Sequence, residues 1–211
     1  MAIDISTLDP ARTIVVATGN AHKLSEIEAI LSKSLSDVRF VALGELGDFD
    51  DPVEDGETFF DNALIKARAA LDETGLALAV ADDSGLVVDA LDGAPGIFSA
   101  RYAGEHGNDD ANNQKILSQL NDVPDNERTA RFHSTVVLVS RDEDGEEVLC
   151  GEGDCEGTIA RDLRGTNGFG YDPLFELSDV PGKRMAELEP EQKNAISHRR
   201  RALDDLVGKL G

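Results

Sequence analysis

Basic residues, cysteines and aromatics are all scarce in this chain, and each shortage narrows what it can be. Only 20 Lys and Arg face 42 Asp and Glu, a formal charge of -22 over 211 residues. A surface that acidic repels nucleic acid and anionic membranes, so neither is an expected partner. Cys150 and Cys155 are the only cysteines, with no second pair or His cluster nearby. That excludes a disulfide framework and argues against structural zinc. No apolar run approaches the ~18 residues of a membrane span. Met1 to Pro10 is acidic and polar, unlike a secretory leader. The expectation is a cytoplasmic protein. Internal repeats, low-complexity tracts and long linkers are also missing, so 1–211 is expected to be one domain, with 1–11 a flexible opening segment. Tryptophan is absent, and eight Phe and two Tyr make up the aromatic content. Each aromatic placement therefore carries information.

What is present alternates between strand and helix patterns. Arg12 to Ala17 reads as a buried strand running into Thr18-Gly19-Asn20, and Leu24, Ile27, Ile30 and Leu31 then share one helix face. Asn20 is the expected N-cap of that helix. Val38 to Leu43 reads as a second strand, and Gly44 to Glu57 as an acidic loop. A second helix is expected from Thr58 to Thr74, closed by Gly75. Leu76 to Val80 and Leu86 to Val88 read as two short strands, Asp89 to Asp110 as loop, and Ala111 to Leu120 as a short helix. Thr129 to Ser140 and Glu146 to Cys155 form a hairpin pattern joined at Asp142 to Gly145. Asp172 to Leu177 follows as a short strand, and Ser197 to Leu210 as a closing helix. The fold class is α/β with a mixed β-sheet, parallel early and antiparallel in the hairpin.

Charge sits where this pattern predicts burial. Asp82 and Asp83 lie between two apolar runs, where carboxylates are costly unless they bind a cation or work as acid and base. A solvated turn through Ser84 and Gly85 is the alternative. Thr18 to Lys23 is a strand-to-helix turn whose free N–H groups favour an anion. Lys23 opposes the helix dipole there unless a phosphate is bound. Ser197 to Arg201 repeats the anomaly: a Ser cap is followed by His198, Arg199, Arg200 and Arg201 in the first turn. Thr58, Asn62 and Lys66 fall on one stripe of the second helix, a pattern that is usually a solvated face. Glu54 and Asp83 are hard oxygen donors suited to Mg²⁺. Gly165 to Asp172 places Phe169 between glycines, either to stack on a planar ligand or to pack in the core.

Several of these stretches, in this order, resemble the inosine triphosphate pyrophosphatase family, the Ham1-like pyrophosphatases of non-canonical purine nucleotides. They are Ala17 to Lys23; Glu54 to Phe59 with Asp61 to Ala63; Ala81 to Leu86; Gly93 to Gly96 with Ser99 to Tyr102; Gly168 to Pro173; and Ala195 to Arg199. The resemblance implies an elongated mixed α/β fold, two lobes with a central nucleotide-binding cleft, and a homodimer. It implies Mg²⁺-dependent hydrolysis of ITP, dITP and XTP to the monophosphate and pyrophosphate. By position, Thr18, Gly19, Asn20, Ala21, His22 and Lys23 would hold the phosphates, with Lys66 a further phosphate ligand. Glu54 and Asp83 would bind metal, Asp83 serving also as the base, and Ser84 would touch substrate. Phe169, Gly170, Tyr171, Asp172, Lys193, His198 and Arg199 would surround the purine. Asn167 and Arg200 depart from the family pattern, which often has glycine and a small residue there.

Overall fold

The computed structural model describes residues 3–18 and 21–210. The element order is β1 (Thr13–Val16), α1 (Ala21–Leu31), β2 (Arg39–Ala42), α2 (Leu43–Leu46), α3 (Phe59–Thr74), β3 (Leu78–Val88), α4 (Asp109–Gln119), β4 (Thr129–Asp142), β5 (Gly145–Ile159), β6 (Phe175–Leu177), α5 (Pro190–Ile196) and α6 (His198–Gly208). Six strands form a mixed sheet in the order β2-β1-β3-β4-β5-β6. β1 runs parallel to both β2 and β3, while β5 and β6 pair antiparallel. The α/β class with a mixed sheet is therefore as expected. The expected cap, Asn20, lies outside the described residues.

Two compact units make up the chain. The first comprises Met1–Asp83, Thr135–Gly153 and Arg201–Gly211. Strand alternation gives it two apolar faces. Val15, Val41, Ala79, Ala81 and Val137 pack with Ala63, Ala67, Ala70 and Leu71 of α3. Ile14, Val16, Val80 and Val136 pack with Ile27, Ile30 and Leu31 of α1 and with Ala202, Leu203 and Leu206 of α6. Helix α3 starts as the sequence dictates: Thr58 Oγ1 accepts from Asp61 N–H at 3.1 Å, and Asp61 Oδ2 accepts from Thr58 N–H at 3.0 Å. It stops at Gly75, which adopts φ 67° and donates to Leu71 O. Before β1, Ile5–Thr7 forms a 3₁₀ turn capped by Asp4, and Leu8 joins the core.

The second unit comprises Ser84–Ser134 and Asp154–Arg200. Its core gathers Leu86 and Val88 of β3, Ile116 and Leu120 of α4, Phe132 of β4, Ile159 of β5, and Phe175 and Leu177 of β6. Arg128 is buried within it, donating to Ile159 O at 2.7 Å, Leu120 O at 2.5 Å and Ala160 O at 3.0 Å. One guanidinium thereby satisfies three carbonyls that helix and strand ends leave open, and fixes the end of α4 to the end of β5.

Two expectations need correction, and one helix is an addition. The two short strands proposed around the acid pair are one continuous strand, β3, and Asp82 to Gly85 lies inside it, not in a turn. Lysines neutralise both carboxylates there, so the strand need not break to solvate them. The end of the second expected strand and the start of the acidic loop instead form helix α2. Helix α5, with Pro190 in its first turn, was absent from the sequence reading.

Candidate active site

The first unit carries a lysine–carboxylate cluster built by strand parity. Successive residues of β3 face opposite sides of the sheet. Asp82 follows the register of Val80 toward α1, and Asp83 that of Ala79 and Ala81 toward α3. Lys23, in the first turn of α1, accordingly meets Asp82 Oδ1 at 3.1 Å. Lys66, in the middle of α3, meets Asp83 Oδ1 at 2.7 Å and lies 3.7 Å from Glu54 Oε1. The stripe of Thr58, Asn62 and Lys66 is thus no solvated face. Thr58 caps the helix, Asn62 is fully buried, and Lys66 serves the acid pair.

Asp82 and Asp83 are only 4% and 8% exposed. Burial lifts the Asp83 carboxyl above its ordinary value, Lys66 opposes that rise, and Glu54 and Asp82 add to it. Asp83 Oδ2 is buried and makes no hydrogen bond. The Glu54 loop is held from behind: Asn62 Oδ1 accepts from Gly56 N–H at 2.9 Å. Gly56 is required there, since a Cβ would fall 2.6 Å from Asp61 Cβ and 2.7 Å from Asn62 Oδ1. A pocket of about 160 Å³ opens beside the cluster, with Thr18, Phe49, Pro52, Glu54 and Lys66 among its walls.

These donors fit a magnesium ion. Two hard carboxylates converge on one ammonium, and one buried carboxylate oxygen is left without a partner. Among the described residues no group of three metal-ligating side chains occurs. Mg²⁺ binds through one or two carboxylates and completes its shell with water and phosphate oxygens.

The second unit carries a pocket of about 250 Å³ lined by Ser84, Phe132, Phe169, Asp172, Lys193 and His198, among others. The Phe132 and His198 rings stack with centroids 5.2 Å apart and an interplanar angle of 21°. Phe169 is not packed in the core: it is 64% exposed. Lys193 Nζ sits 4.5 Å from its ring centroid and also pairs with Asp172. Asp172 is 3% exposed, and its Oδ2 accepts from Phe169 N–H at 2.9 Å. Burial raises its carboxyl, Lys193 and the Phe169 N–H oppose that, and Asp109 adds to it. Tyr171 is anchored by donating to Ser99 O at 2.8 Å, and burial pushes its phenol up. Ser197 Oγ accepts from Arg200 N–H at 3.1 Å, so Ser197 caps α6 as expected.

Of the residues singled out from the sequence, Thr18, Lys66, Glu54 and Asp83 come together in the first unit, with Lys23 on Asp82. Ser84, Phe169, Gly170, Tyr171, Asp172, Lys193 and His198 come together in the second. Arg199 is buried beside His198 without lining that pocket. Ala21 and His22 open α1; Gly19 and Asn20 lie outside the described residues. Sequence reading gave no role to Phe132, Ser99 or Asp109 of the pocket, although Ser99 falls in one of the stretches that carry the resemblance. Phe132 falls in a strand pattern, and Ser99 and Asp109 fall in the stretch 89–110 that reads as loop.

Known proteins resemble this one over nearly the whole chain. Residues 14–209 match the Ham1 family. A "dITP/XTP pyrophosphatase" of Geobacter sulfurreducens is 52% identical over 198 residues, covering 94% of this chain and 96% of its own. One from Corynebacterium glutamicum is 48% identical over 201 residues, covering 93% and 96%. The Ham1 protein of Staphylococcus aureus superposes with a TM-score of 0.82 at 40% identity, over 94% of this chain and 97% of the other. Matched in sequence and in fold over that span, the chain belongs to the Ham1 family.

Proposed function

We propose that this protein is a nucleoside-triphosphate pyrophosphatase that hydrolyses dITP, XTP and ITP to the monophosphate and pyrophosphate, with Mg²⁺. One observation carries the reading: Asp83 is buried with Oδ1 on Lys66 and Oδ2 open. An unpaired buried polar atom costs about 1–3 kcal/mol, a cost without return unless the oxygen works. Similarity to proteins named dITP/XTP pyrophosphatase narrows the substrate.

Glu54 and Asp83 would hold the metal, which supplies charge neutralisation on the triphosphate when bound. Lys66, relieved of neutralising those carboxylates, pairs with phosphate oxygens, joined by Lys23 and the backbone following Thr18. Asp83 accepts a proton from a water whose oxygen bonds to the α-phosphorus. The bond from that phosphorus to the bridging oxygen breaks, releasing pyrophosphate. A raised carboxyl pKa makes Asp83 a stronger base than a solvated aspartate.

Phe169 stacks on the purine and Asp172 accepts a hydrogen bond from it. His198, in the pocket wall, favours the 6-oxo group as acceptor, where adenine presents donors that would be left unpaired. A homodimer in the cytoplasm completes the proposal. The test is pyrophosphate release from dITP, XTP, ITP, dATP, dGTP and dTTP, with and without Mg²⁺. Turnover of dITP, XTP and ITP well above that of dATP and dTTP, dependent on the cation, supports it. Equal turnover of dATP, or none of dITP, contradicts it.

A further inference from the structure

The loop that carries Phe169 owes its shape to a helix outside every motif considered so far. Asp109 Oδ2, in the first turn of α4, accepts from Gly170 N–H at 2.7 Å. Asn113, one turn on, donates from Nδ2 to Gly170 O at 2.9 Å and to Asp109 O at 2.9 Å. Both of those neighbours are carbonyl oxygens, which fixes the Asn113 amide with its nitrogen toward them. Residues four apart on a helix share a face, so the two side chains grip Gly170 at its N–H and its C=O. Asp172 Oδ2 takes the preceding N–H, that of Phe169. Gly168 and Gly170 adopt φ 80° and 61°, and the segment's own backbone closes a turn in which Asp172 N–H donates to Phe169 O at 3.3 Å.

We infer that Asp109 and Asn113 are positioning residues for base selection: they hold the Phe169–Asp172 segment in the shape that presents the Phe169 ring and the Asp172 carboxylate to the purine. This rests on the pyrophosphatase reading above. Asn113 is 3% exposed, and its place could be read as simple packing. Asp109 is half-exposed at the edge of the pocket, where a charged side chain turned onto one loop N–H gives the core nothing. Its carboxylate also lies close enough to act on both Asp172 and Tyr171.

Asp109→Ala removes the acceptor, whereas Asp109→Asn keeps an oxygen that accepts the same N–H. Steady-state kinetics with dITP and dATP therefore separate positioning from bulk stability. Asp109→Ala is expected to raise the KM for dITP about tenfold, with kcat within about threefold, and to lower the preference for dITP over dATP about tenfold. Asp109→Asn should stay within about threefold of wild type. Asn113→Ala should repeat the Asp109→Ala pattern. An unchanged preference in Asp109→Ala, or a loss shared equally by dITP and dATP, overturns the inference. Amide hydrogen exchange at Gly170 gives an arm independent of turnover: faster exchange in Asp109→Ala supports the grip, and unchanged exchange overturns it. A wild-type protein inactive on dITP sinks the reaction instead, and the exchange arm still decides whether α4 holds the loop.

Discussion

Lys66 Nζ donates to Asp83 Oδ1 at 2.7 Å from a helix on the opposite side of β3 from the one that supplies Lys23 to Asp82. Two adjacent carboxylates are thereby kept apart by the pleat of a single strand. Each has its own cation, and only Asp83 keeps an oxygen in reserve. That asymmetry is the ground for proposing Asp83 as the working residue and Asp82 as its support.

Removing the Lys66 charge leaves Asp83 buried and uncompensated. Lys66→Met is expected to cost about 3 kcal/mol in denaturant unfolding, and the double variant Lys66→Met, Asp83→Asn to recover most of it. Additive losses in that double-mutant cycle would contradict a coupled pair.

The same pair sets a pH dependence of known sign. Asp83 has a folded pKa above its unfolded value. Its favourable contribution is fully present below the ordinary carboxylate range and is lost as pH rises through the raised value. Carboxyl NMR of the metal-free protein should therefore find Asp83 titrating above that range, and higher still in Lys66→Met. The stability loss of Lys66→Met should be larger at neutral pH than in acid. A wild-type titration at the solvated aspartate value is the contrary outcome.

Phe169 separates binding from folding because its ring is largely exposed. Phe169→Ala should leave unfolding free energy within about 0.5 kcal/mol of wild type. Lost stacking should weaken dITP binding by about 1–3 kcal/mol, read as KM or by calorimetry. A large stability loss with unchanged KM would show a packing role instead.

Gly168 leaves no room for a side chain. It holds φ 80°, and a Cβ would fall 1.9 Å from Asp172 Oδ2. Gly168→Ala must displace Asp172 from Lys193 and from the Phe169 N–H, at about 1–3 kcal/mol of strain. The expected kinetic result is a raised KM for dITP with a smaller change in kcat, and a wild-type KM would contradict it.

Much of this was legible from residue order. The 3.6-residue spacing, the Thr58 cap and Gly75 predict α3, and a cationic first turn marks both Lys23 and His198. The strand through Asp82 and Asp83 was not legible. Local pattern allows adjacent carboxylates to be read as a turn, and only Lys23 and Lys66, 59 and 17 residues earlier in the chain, make their burial tolerable. Asn62 shows the same limit: a polar residue on a helix reads as solvent-facing until its partner, the Gly56 N–H, is known. Asp109 falls in a stretch that reads as loop and Asn113 on a short helix with no motif, and their role depends on a loop about 60 residues away.

The central claim is that Asp83 performs the chemistry from a site that binds substrate without it. Pyrophosphate release from dITP and dITP affinity, both measured with Mg²⁺ in Asp83→Asn, test that claim most directly. Affinity within about tenfold of wild type, with turnover reduced by roughly a hundredfold or more, is the predicted result. Wild-type turnover in that variant would contradict it.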